Sequence, residues 1–437
     1  MSDVSDKLIS KIDQREALVV VMGIGYVGLP LVAEFARAGF RVVGLDYDKR
    51  KVDSLNSGKS YIDDIKSEEL EPHVAEKRLS ASTDSSVLAE ADAVVVCVPT
   101  PLNKTKDPDM RFIVQATQEI AKFQHPGMLV VLESTTYPGT TTELLVPSLT
   151  QQRFALGEQV FVAFSPERVD PGNKVYKTRN TPKVIGGADP VSLQVSMALY
   201  SKIIDQLVAV SSTETAEMVK LLENTFRAVN IGLANEVAMM SRKLGIDPFE
   251  VIRAAATKPF GFMPFYPGPG LGGHCIPIDP LYLSWRIKGL KGQARFIELA
   301  DSVNSGMPDY VVGRVAESLN EHSKAVRGSK ILIYGVAYKR DVSDMRESPA
   351  FEIIRGLEER GAVVSYMDSW IPAVDEEGLT MQSVPTDSDF SAFDVVVIIT
   401  DHSDLDRVRL LRQAKLIVDT RDALDGMDDP EGKIRGL

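Results

Sequence analysis

A glycine-rich turn near the N-terminus constrains the fold more than any other stretch of the sequence. The apolar run Leu18–Met22 is typical of a buried parallel strand, and the turn "GIGYVG", residues 23–28, follows it directly. Apolar residues at helical spacing come next and stop at Gly39, before a second strand, "RVVGLD", that ends in Asp46. This order of strand, turn, helix, strand and acidic residue predicts a Rossmann-type unit that binds a dinucleotide.

Each glycine of this turn has its own expected role. Gly23 permits the tight turn, Gly25 lets the backbone approach a pyrophosphate, and Gly28 lets the helix pack against the strand. The pyrophosphate of such units lies at the helix N-terminus, beside the intervening Tyr26 and Val27. These five residues are therefore predicted to contact the cofactor.

Asp46 also indicates which cofactor the unit takes. A carboxylate at the end of the second strand can accept hydrogen bonds from a ribose diol, as in NAD. Beside the 2′-phosphate of NADP it would face a like charge, at a cost of about 4 kcal/mol for charges about 4 Å apart at an effective dielectric constant of about 20. The sequence therefore predicts NAD, with Lys51 as a further cofactor contact. The neighbouring Lys49 and Arg50 keep a phosphate-bearing cofactor as an alternative.

Two further apolar runs in the N-terminal part end in polar loops. The stretches "ADAVVVCVPTP" and "GMLVVLESTTYPGTTTE" place Thr100 after one predicted strand, and Ser134 and Thr135 after the next. Ligands of open α/β sheets lie at the carboxyl ends of the strands, so Thr100, Ser134 and Thr135 are predicted to contact the cofactor. Cys97 lies inside the first apolar run and is expected to be a small buried hydrophobic residue.

The middle of the chain changes to a helical pattern. "STETAEMVKLLENTFRAVNIGLANEVAMMSRKLGID" predicts one helix of roughly thirty residues that Ser212 or Thr213 caps and Gly245 stops. Such a length predicts either a spacer between domains or a dimer-forming element. Lys220 and Asn224 are four residues apart and share a face of this helix, which is either solvated or functional.

After Ser329 the sequence repeats the plan of the front unit. "KILIYGVAYKRDVSDMRESPAFEIIRGLEERGAVVSYMD" reads as strand, polar loop, helix and strand, but without a GxGxxG turn, which indicates a ligand other than a dinucleotide. Its loop carries Lys339, Arg340 and Arg346, which suit phosphates or a solvated surface. We expect an α/β protein with two Rossmann-like, doubly wound domains, residues 1–212 and 312–437. A helical domain, residues 213–311, joins them around the long central helix.

A cysteine in a glycine-rich loop is the strongest candidate for chemistry. Cys275 lies in "GPGLGGHCIPIDP", residues 268–280, where Gly270 and Gly272 remove side chains that would block a ligand. A thiolate is a strong nucleophile, and Asp279 could serve as a base. With a dinucleotide fold, this predicts oxidation of an alcohol through a thiohemiacetal and a thioester; the alternative is a packed structural thiol. His274 is expected to be an ordinary loop residue.

Composition excludes several classes of protein. The 437 residues carry a formal net charge of -12, which argues against nucleic acid as a partner. No window has the apolar length of a membrane span, and the polar start has no features of a secretory signal. Two cysteines form no disulfide framework, and with five scattered histidines they show no spacing typical of a metal site. We expect an enzyme of the reducing cytoplasm that binds neither metal nor membrane.

Six motifs in order carry a resemblance over nearly the whole chain. "GIGYVGLP", "ESTTYPGTTTE", "SPERVDPGN", "KLLENTFRAVNIGLANE", "GPGLGGHCIPIDP" and "GVAYKRDVSDMRES" make the chain resemble the UDP-glucose/GDP-mannose dehydrogenase family. The resemblance implies an NAD-dependent, four-electron oxidation of a nucleotide sugar at C6, with two NAD per product. It also implies a homodimer, or a higher assembly, built on the central helix, and a part in polysaccharide biosynthesis.

The resemblance assigns roles to residues of the central region. Cys275 matches the nucleophile, and Asp279 matches an aspartate that acts as a base or activates water. Lys220 matches a lysine whose charge stabilises oxyanions, an effect worth about 3 kcal/mol for one donor, and Asn224 matches its partner. Thr135 matches a threonine that helps to place water.

Three further positions follow from the same resemblance. Glu167 matches a glutamate of thioester hydrolysis, Lys339 a lysine that binds substrate, and Arg346 an arginine that reaches the cofactor.

The sequence departs from the UDP-glucose pattern at two places. It has "SPERVDPG", in which Arg168 is new, and Pro259 lies nearest to an expected arginine in "TKPFGFMPFYPGPG". These stretches resemble the branch that acts on UDP-N-acetylhexosamines, with UDP-N-acetylglucosamine expected first, and Tyr266 could contact the acetyl methyl group. The expected substrate-binding residues are Glu167, Arg168, Lys220, Asn224, Tyr266, Gly270, Gly272 and Lys339.

Other substrates and functions remain as alternatives. The epimeric UDP-N-acetylmannosamine and UDP-N-acetylgalactosamine, and UDP-glucose, would use the same chemistry. More distant alternatives are a two-electron hydroxy acid dehydrogenase and a non-catalytic nucleotide-sugar sensor. The first of these would need no Cys275 and no third α/β unit.

Overall fold

The structure is a computed structural model that describes residues 3–437 except 63, 104, 152, 171, 172, 174, 274 and 377. The chain divides into two compact units. Unit 1 comprises Met1–Glu223 and Trp285–Lys291, and unit 2 comprises Asn224–Ser284 and Gly292–Leu437. The predicted three-domain boundaries at 212/213 and 311/312 stay a prediction.

Unit 1 is built on one mostly parallel sheet. Its strands are β1 (Leu18–Met22), β2 (Arg41–Leu45), β3 (Leu79–Ser82), β4 (Ala93–Val96), β5 (Met128–Leu132), β6 (Val160–Phe164), β7 (Lys183–Gly187) and β8 (Leu207–Val210). Their order is β3-β2-β1-β4-β5-β6-β7-β8, and β6 and β7 pair antiparallel. The first six follow the strand order of Rossmann sheets, whose ligands lie where the order reverses, here between β1 and β4.

Helices cover both faces of this sheet. They are α1 (Asp3–Gln14), α2 (Gly28–Arg37), α3 (Lys49–Asn56), α4 (Ser67–Ala75), α5 (Arg111–Phe123), α6 (Val146–Thr150) and α7 (Pro190–Tyr200). Alternate residues of β1 enter different cores: Val19 and Val21 pack with α1, α2 and α7, whereas Val20 packs with α5 and α6. Strands covered on both faces need continuous apolar runs, which is why β1 and β4 to β6 were visible in the sequence.

The long central helix, α8, spans Thr213–Leu244 and has 32 residues. The Ser212 hydroxyl accepts a hydrogen bond from the Thr215 N–H at 3.2 Å, and Gly245 adopts a left-handed conformation directly after the last turn. The prediction of one helix of about thirty residues between these two signals is confirmed.

Unit 2 contains a second parallel sheet. The helices after α8 are α9 (Pro248–Ala256), α10 (Asp279–Gly289), α11 (Arg295–Ser305), α12 (Met307–Glu321), α13 (Pro349–Glu359) and α14 (Arg407–Gln413). The strands are β9 (Lys330–Tyr334), β10 (Val363–Met367), β11 (Ala373–Glu376), β12 (Leu379–Gln382), β13 (Val395–Ile398), β14 (Ile417–Asp419) and β15 (Ile434–Gly436). The sheet order is β10-β9-β13-β14-β15, and β11 pairs with β12 as a separate hairpin.

The predicted fold class is confirmed, because both sheets are doubly wound α/β sheets and α8 is the expected long helix. The sequence did not reveal the β11–β12 hairpin or the short β15. Their strands are only three or four residues long and largely lack a continuous apolar run. Within the described residues, no helix is both long and apolar enough to cross a membrane.

Two glycines of the first turn lie in opposite environments. A Cβ atom on Gly28 would lie 1.9 Å from the Gly23 carbonyl oxygen, whereas a Cβ on Gly25 would meet no described atom within 4 Å. Gly28 is thus required by helix-to-strand packing, and Gly25 faces open space.

This contrast gives a matched pair of variants. We expect Gly28→Ala to lower the free energy of unfolding by about 1–3 kcal/mol, because the methyl group cannot be accommodated without a backbone shift. Gly25→Ala should leave stability within about 0.5 kcal/mol and weaken NAD binding instead. Denaturant unfolding and NAD titration measure the two effects, and equal stability losses in both variants would contradict this account of the turn.

Candidate functional site

The glycine-rich turn presents backbone donors at the end of β1. Gly23 has φ +88°, and a Cβ there would lie 2.5 Å from the Cys97 carbonyl oxygen. At the first turn of α2, the N-cap residue Val27 makes no side-chain capping hydrogen bond within the described part of the chain, and Tyr26 beside it is exposed. The N-terminus of α2 and the open space at Gly25 fit a pyrophosphate.

Asp46 directly follows β2 and is held against this turn. Its Oδ2 accepts hydrogen bonds from the Ile24 N–H at 3.0 Å and from Lys51 Nζ at 3.2 Å. Its Oδ1 accepts one from the Asp48 N–H at 2.9 Å. The carboxylate is thus fixed at the position from which Rossmann units bind a ribose diol. Lys51 pairs with that carboxylate, so these residues fit NAD.

The next two strand ends lie close to each other. The Ser134 hydroxyl donates to the Val98 carbonyl oxygen at 2.8 Å, which joins the loop after β5 to the loop after β4. Thr100, in the β4 loop, is buried, and Thr135 is partly exposed. Both loops lie at the carboxyl edge of the sheet, as predicted.

Glu217 on α8, which the sequence analysis did not single out, holds the loop after Thr135. Its Oε2 accepts a hydrogen bond from the Gly139 N–H at 2.6 Å. Its Oε1 accepts from the N–H and the hydroxyl of Thr141, at 2.9 and 2.7 Å. Burial raises the pKa of Glu217 to about 7, although these hydrogen bonds act to lower it. The available signal was an acidic residue three positions before Lys220, on the same side of the helix.

Glu167, at the carboxyl end of β6, is held as a carboxylate. Its Oε1 accepts hydrogen bonds from the N–H groups of Val169 at 2.7 Å and Arg168 at 2.8 Å. Burial would raise the pKa of Glu167, but Lys183, the Val169 N–H and Lys220 outweigh it, so the pKa lies below its usual range. Glu167 and Lys220 are therefore within electrostatic reach of each other.

Arg168 has partners of its own in unit 1. Its guanidinium donates to Glu223 Oε1 and to the Pro182 carbonyl oxygen, each at 2.6 Å. These bonds attach the Glu167 loop to α8, which explains Arg168 structurally. Its predicted contact with substrate stays a prediction.

In unit 2, Cys275 lies four residues before Asp279, the first residue of α10, and is partly exposed. Its carbonyl oxygen accepts hydrogen bonds from the Ile278 N–H at 3.2 Å and the Asp279 N–H at 2.8 Å. A helix N-terminus favours negative charge nearby. Cys97 differs, because burial raises the pKa of its thiol well above the usual range. Its expected role as a buried hydrophobic residue agrees with this.

Asp279 and Asn224 are brought together in unit 2. Asp279 is the first residue of α10 and is buried, and its Oδ2 accepts a hydrogen bond from Asn224 Nδ2 at 2.6 Å. The fold thus joins two residues that are 55 positions apart in the sequence, and one of them, Asp279, lies four residues after Cys275.

The glycines before Cys275 have a packing role. A Cβ on Gly272 would lie 2.8 Å from the Tyr338 Cβ, and a Cβ on Gly270 would lie 3.0 Å from the Pro349 Cβ. The Gly273 N–H donates to the Arg346 carbonyl oxygen at 3.1 Å. Glycine is therefore needed for the loop to pack against the β9–α13 loop, a reason that sequence could not supply.

The β9–α13 loop brings two predicted residues beside the Cys275 loop. Lys339 follows Tyr338 in it, and the Arg346 guanidinium forms a bidentate pair with Asp344, at 2.6 and 3.0 Å. Tyr266 precedes these glycines in the sequence. Its side chain is exposed, and its ring stacks on that of Phe249 with ring centroids 6.4 Å apart.

Arg421 is a further candidate that the sequence analysis missed. It lies just after β14, its Nε donates to the Ile399 carbonyl oxygen at 2.8 Å, and a Cβ on Gly268 would lie 2.6 Å from its Nη1. Burial, together with the charge on Arg340, lowers the pKa of Arg421 to about 10. A cation at a strand end of the second sheet suits a phosphate. The sequence signal for this candidate was the arginine that ends the stretch "KLIVDTR", residues 415–421.

The second sheet uses its acidic residue differently from the first. Asp368, directly after β10, has the place in unit 2 that Asp46 has in unit 1. Its Oδ2 accepts hydrogen bonds from the N–H groups of Val336 and Ala337, at 2.7 and 3.1 Å, and its Oδ1 accepts one from the Trp370 N–H at 2.8 Å. Asp46 accepts the corresponding N–H groups of Ile24 and Asp48, but the Asp368 side chain is 0% exposed, against 12% for Asp46, and His402 Nε2 lies 3.1 Å from its Oδ2. A carboxylate so enclosed is poorly placed for a ribose diol, which supports a different ligand in unit 2.

Among the described residues, no group of three or more His, Cys, Asp or Glu side chains could hold a metal ion. His274 lies outside the described residues.

The fold and the first turn define an NAD-dependent dehydrogenase with two Rossmann-like units. Comparison with known families narrows this class. The NAD-binding domain of the UDP-glucose/GDP-mannose dehydrogenase family matches residues 17–204, its central domain residues 214–306 and its UDP-binding domain residues 332–426. The chain belongs to this family and is a nucleotide-sugar dehydrogenase that uses NAD.

Individual relatives cover almost the whole chain. The UDP-N-acetyl-D-glucosamine 6-dehydrogenase of Pseudomonas aeruginosa is 34% identical over 397 residues, 89% of this chain and 92% of that protein. The UDP-N-acetyl-D-mannosamine dehydrogenase of Methanococcus maripaludis is 33% identical over 420 residues, 93% of each chain. The solved structure of UDP-D-ManNAc dehydrogenase from Pyrococcus horikoshii has a TM-score of 0.87 at 30% identity, over 96% of this chain and 99% of that one.

The raised pKa of Glu217 predicts a pH-dependent stability. The folded protein holds this proton up to about pH 7, whereas an unfolded chain releases it near the ordinary value of 4.5, so folding loses stability as pH rises through this window. Glu217→Gln cannot titrate. We expect the free energy of unfolding of the wild type, relative to this variant, to fall by up to about 3 kcal/mol between about pH 5 and pH 8. Denaturant unfolding at several pH values measures it, and a constant difference would contradict the prediction.

Proposed function

We propose that this enzyme oxidises the C6 hydroxyl of a UDP-N-acetylhexosamine to a carboxylate through a covalent intermediate on Cys275. The observation that carries the proposal is the partly exposed thiol four residues before Asp279, which is buried at the start of α10 and hydrogen-bonded to Asn224. A dehydrogenase that stops at a two-electron oxidation needs no nucleophile. An aldehyde held as a thiohemiacetal, in contrast, can be oxidised a second time.

The proposed reaction consumes one sugar, two NAD and one water, and releases the acid, two NADH and two protons. When bound, NAD accepts one hydride from C6 in each of the two oxidations. The Cys275 thiolate adds to the aldehyde carbon after the first oxidation and leaves as a thiolate when water opens the thioester. The Lys220 ammonium stabilises the negative oxygen at each stage, a contribution of about 3 kcal/mol for one donor.

The remaining residues are assigned to water and proton transfer. Glu167 is held ionised by Lys183 and its neighbouring N–H groups, so it can take a proton from the water that attacks the thioester. Thr135 would help to place that water. Asp279, oriented by Asn224, is assigned to the proton of the substrate hydroxyl or of water. Lys339 and Arg421 are assigned to the UDP phosphates, and Arg346 to the cofactor.

We propose UDP-N-acetylglucosamine as the first substrate, with the mannosamine and galactosamine epimers and UDP-glucose as alternatives. Relatives of nearly equal identity carry the glucosamine and mannosamine names, so similarity alone does not separate these epimers. The loop before Cys275 exposes Phe262, Met263 and Tyr266, which supports contact with an acetyl group. We also propose a cytoplasmic location, since Cys97 and Cys275 are both free thiols.

The stoichiometry of NADH tests the proposed chemistry. We expect two NADH per sugar consumed, and a covalent acyl adduct of Cys275 by intact-protein mass spectrometry during turnover. Cys275→Ser should lower turnover by at least about a thousandfold while it still binds the UDP-sugar in calorimetry. Cys97→Ser is the matched control and should keep the stoichiometry of two. One NADH per sugar would instead indicate a two-electron dehydrogenase, and binding without turnover in the wild type would indicate a sensor.

A substrate panel tests the sugar. We expect kcat/KM to be highest for UDP-N-acetylglucosamine, and at least about tenfold lower for UDP-glucose, which lacks the acetamido group. The panel also includes both epimeric UDP-N-acetylhexosamines. Equal values for UDP-glucose would remove the hexosamine assignment, and a preference for an epimer would replace the first substrate.

We propose that a second copy of the chain covers an apolar stripe on α8. Apolar side chains along this helix are exposed at helical spacing, although Leu221 is buried: Met218, Leu222, Phe226, Leu233, Met240 and Leu244. A stripe of this length on one helix is typical of a subunit contact. We expect a dimer by sedimentation, and a monomer when Leu222 and Phe226 are both replaced by Lys. A monomeric wild type would exclude this assembly.

A further inference from the structure

A buried polar cluster inside unit 1 includes Glu167 and the lysine that keeps it ionised. It consists of Glu133, Lys183 and Tyr200, together with Glu167. The side chains of Glu133, Lys183 and Glu167 are 0%, 5% and 10% exposed. A lysine so deeply buried is rare unless it is paired, because its charge loses nearly all of its hydration.

Lys183 Nζ makes three contacts. It donates to Glu133 Oε2 at 2.8 Å, to Glu167 Oε2 at 3.4 Å and to the Pro166 carbonyl oxygen at 3.4 Å. Tyr200 donates its phenolic hydrogen to the other oxygen of Glu133. Since an ammonium has three hydrogens, these contacts can use all of them.

The cluster connects two loops that carry assigned residues. Glu133 directly follows β5 and precedes Ser134 and Thr135, while Glu167 follows β6. Lys183 begins β7, the strand that pairs antiparallel with β6. One ammonium therefore fixes the start of the loop that carries Thr135, through Glu133, and one oxygen of Glu167.

Titratable groups from several elements interact with Glu167. Lys183 faces it from β7, Glu133 from the end of β5, Lys220 from α8, Cys97 from the end of β4 and Tyr200 from α7. Burial would lower the pKa of Lys183, but the charges of Glu133 and Glu167 outweigh burial and raise that pKa, so the lysine stays protonated. Burial raises the pKa of Glu133 despite Lys183.

We propose that Lys183 is a positioning residue for thioester hydrolysis, which holds Glu167 in place and keeps its carboxylate ionised. Through Glu133, the same ammonium fixes the start of the loop that carries Thr135. The inference rests on the proposed function, because it assumes that Glu167 accepts a proton from the attacking water. Lys183 itself acts only through Glu167 and Glu133.

The first readout is the titration of Glu167, which does not depend on turnover. Protein labelled with ¹³C at the glutamate carboxyl carbon is titrated by NMR, and Glu167→Gln identifies the resonance by its loss. In Lys183→Met we expect the Glu167 titration to move upward by about 1–3 pH units, the effect of removing an adjacent opposite charge. Lys183→Arg should restore it. Lys202→Met, which removes a lysine that pairs with Asp13 in the same unit, is the matched control and should leave it unchanged.

The second readout is the hydrolysis step alone. The acyl adduct on Cys275 is followed by rapid quench and intact mass. In Lys183→Met it should accumulate and hydrolyse at least about tenfold more slowly at neutral pH, with an acid limb displaced to higher pH. If this variant does not fold, Lys183→Gln carries the test. Its neutral amide keeps hydrogen-bond donors at this position but has no charge, so the Glu167 titration should again move upward.

The possible outcomes separate the inference from the function on which it rests. An unchanged Glu167 titration in Lys183→Met, or in Lys183→Gln where that variant carries the test, overturns the inference. So does a displaced titration with a hydrolysis profile identical to that of the wild type. A wild type that forms one NADH and no adduct overturns the proposed function instead, a result that the titration of Glu167 does not depend on.

Discussion

One helix face fixes the candidate site loops of unit 1. Along α8, Glu217, Lys220 and Glu223 follow one another at intervals of three residues, so their side chains lie on neighbouring positions. Glu217 accepts hydrogen bonds from the N–H groups of Gly139 and Thr141, in the segment after Thr135. Glu223 accepts a hydrogen bond from the guanidinium of Arg168, the residue next to Glu167. In the helix sequence Lys220 lies between these two glutamates, each of which holds one loop. One helix thus positions all three residues.

Local patterns in the sequence were sufficient for the elements and for the cofactor turn. The strand before Gly23, the cap at Ser212 and the stop at Gly245 all depend on neighbouring residues, and each lies where the pattern predicted it. Asn224 and Asp279 could be matched only by resemblance, since no rule of spacing joins positions so far apart. Their hydrogen bond shows that they are partners in unit 2.

What the sequence could not reveal depends on contacts between distant segments. No local pattern marks Lys183 at the start of β7, and only the fold brings Glu133 and Glu167 to it. The glycines before Cys275 suggested space for a ligand, and the fold adds Tyr338 and Pro349 as their close neighbours. In the same way, Asp46 and Asp368 accept corresponding N–H groups, and only the fold shows that Asp368 is fully buried beside His402 whereas Asp46 stays partly exposed.

The different surroundings of the two cysteines have a consequence for chemical probes. Cys97 is enclosed by the first sheet, and its carbonyl group lies against Gly23, while Cys275 is reachable from solvent. An electrophile that needs both access and a thiolate will therefore select one sulfur per chain. A thiol reagent of this kind is therefore expected to add one label per chain, at Cys275.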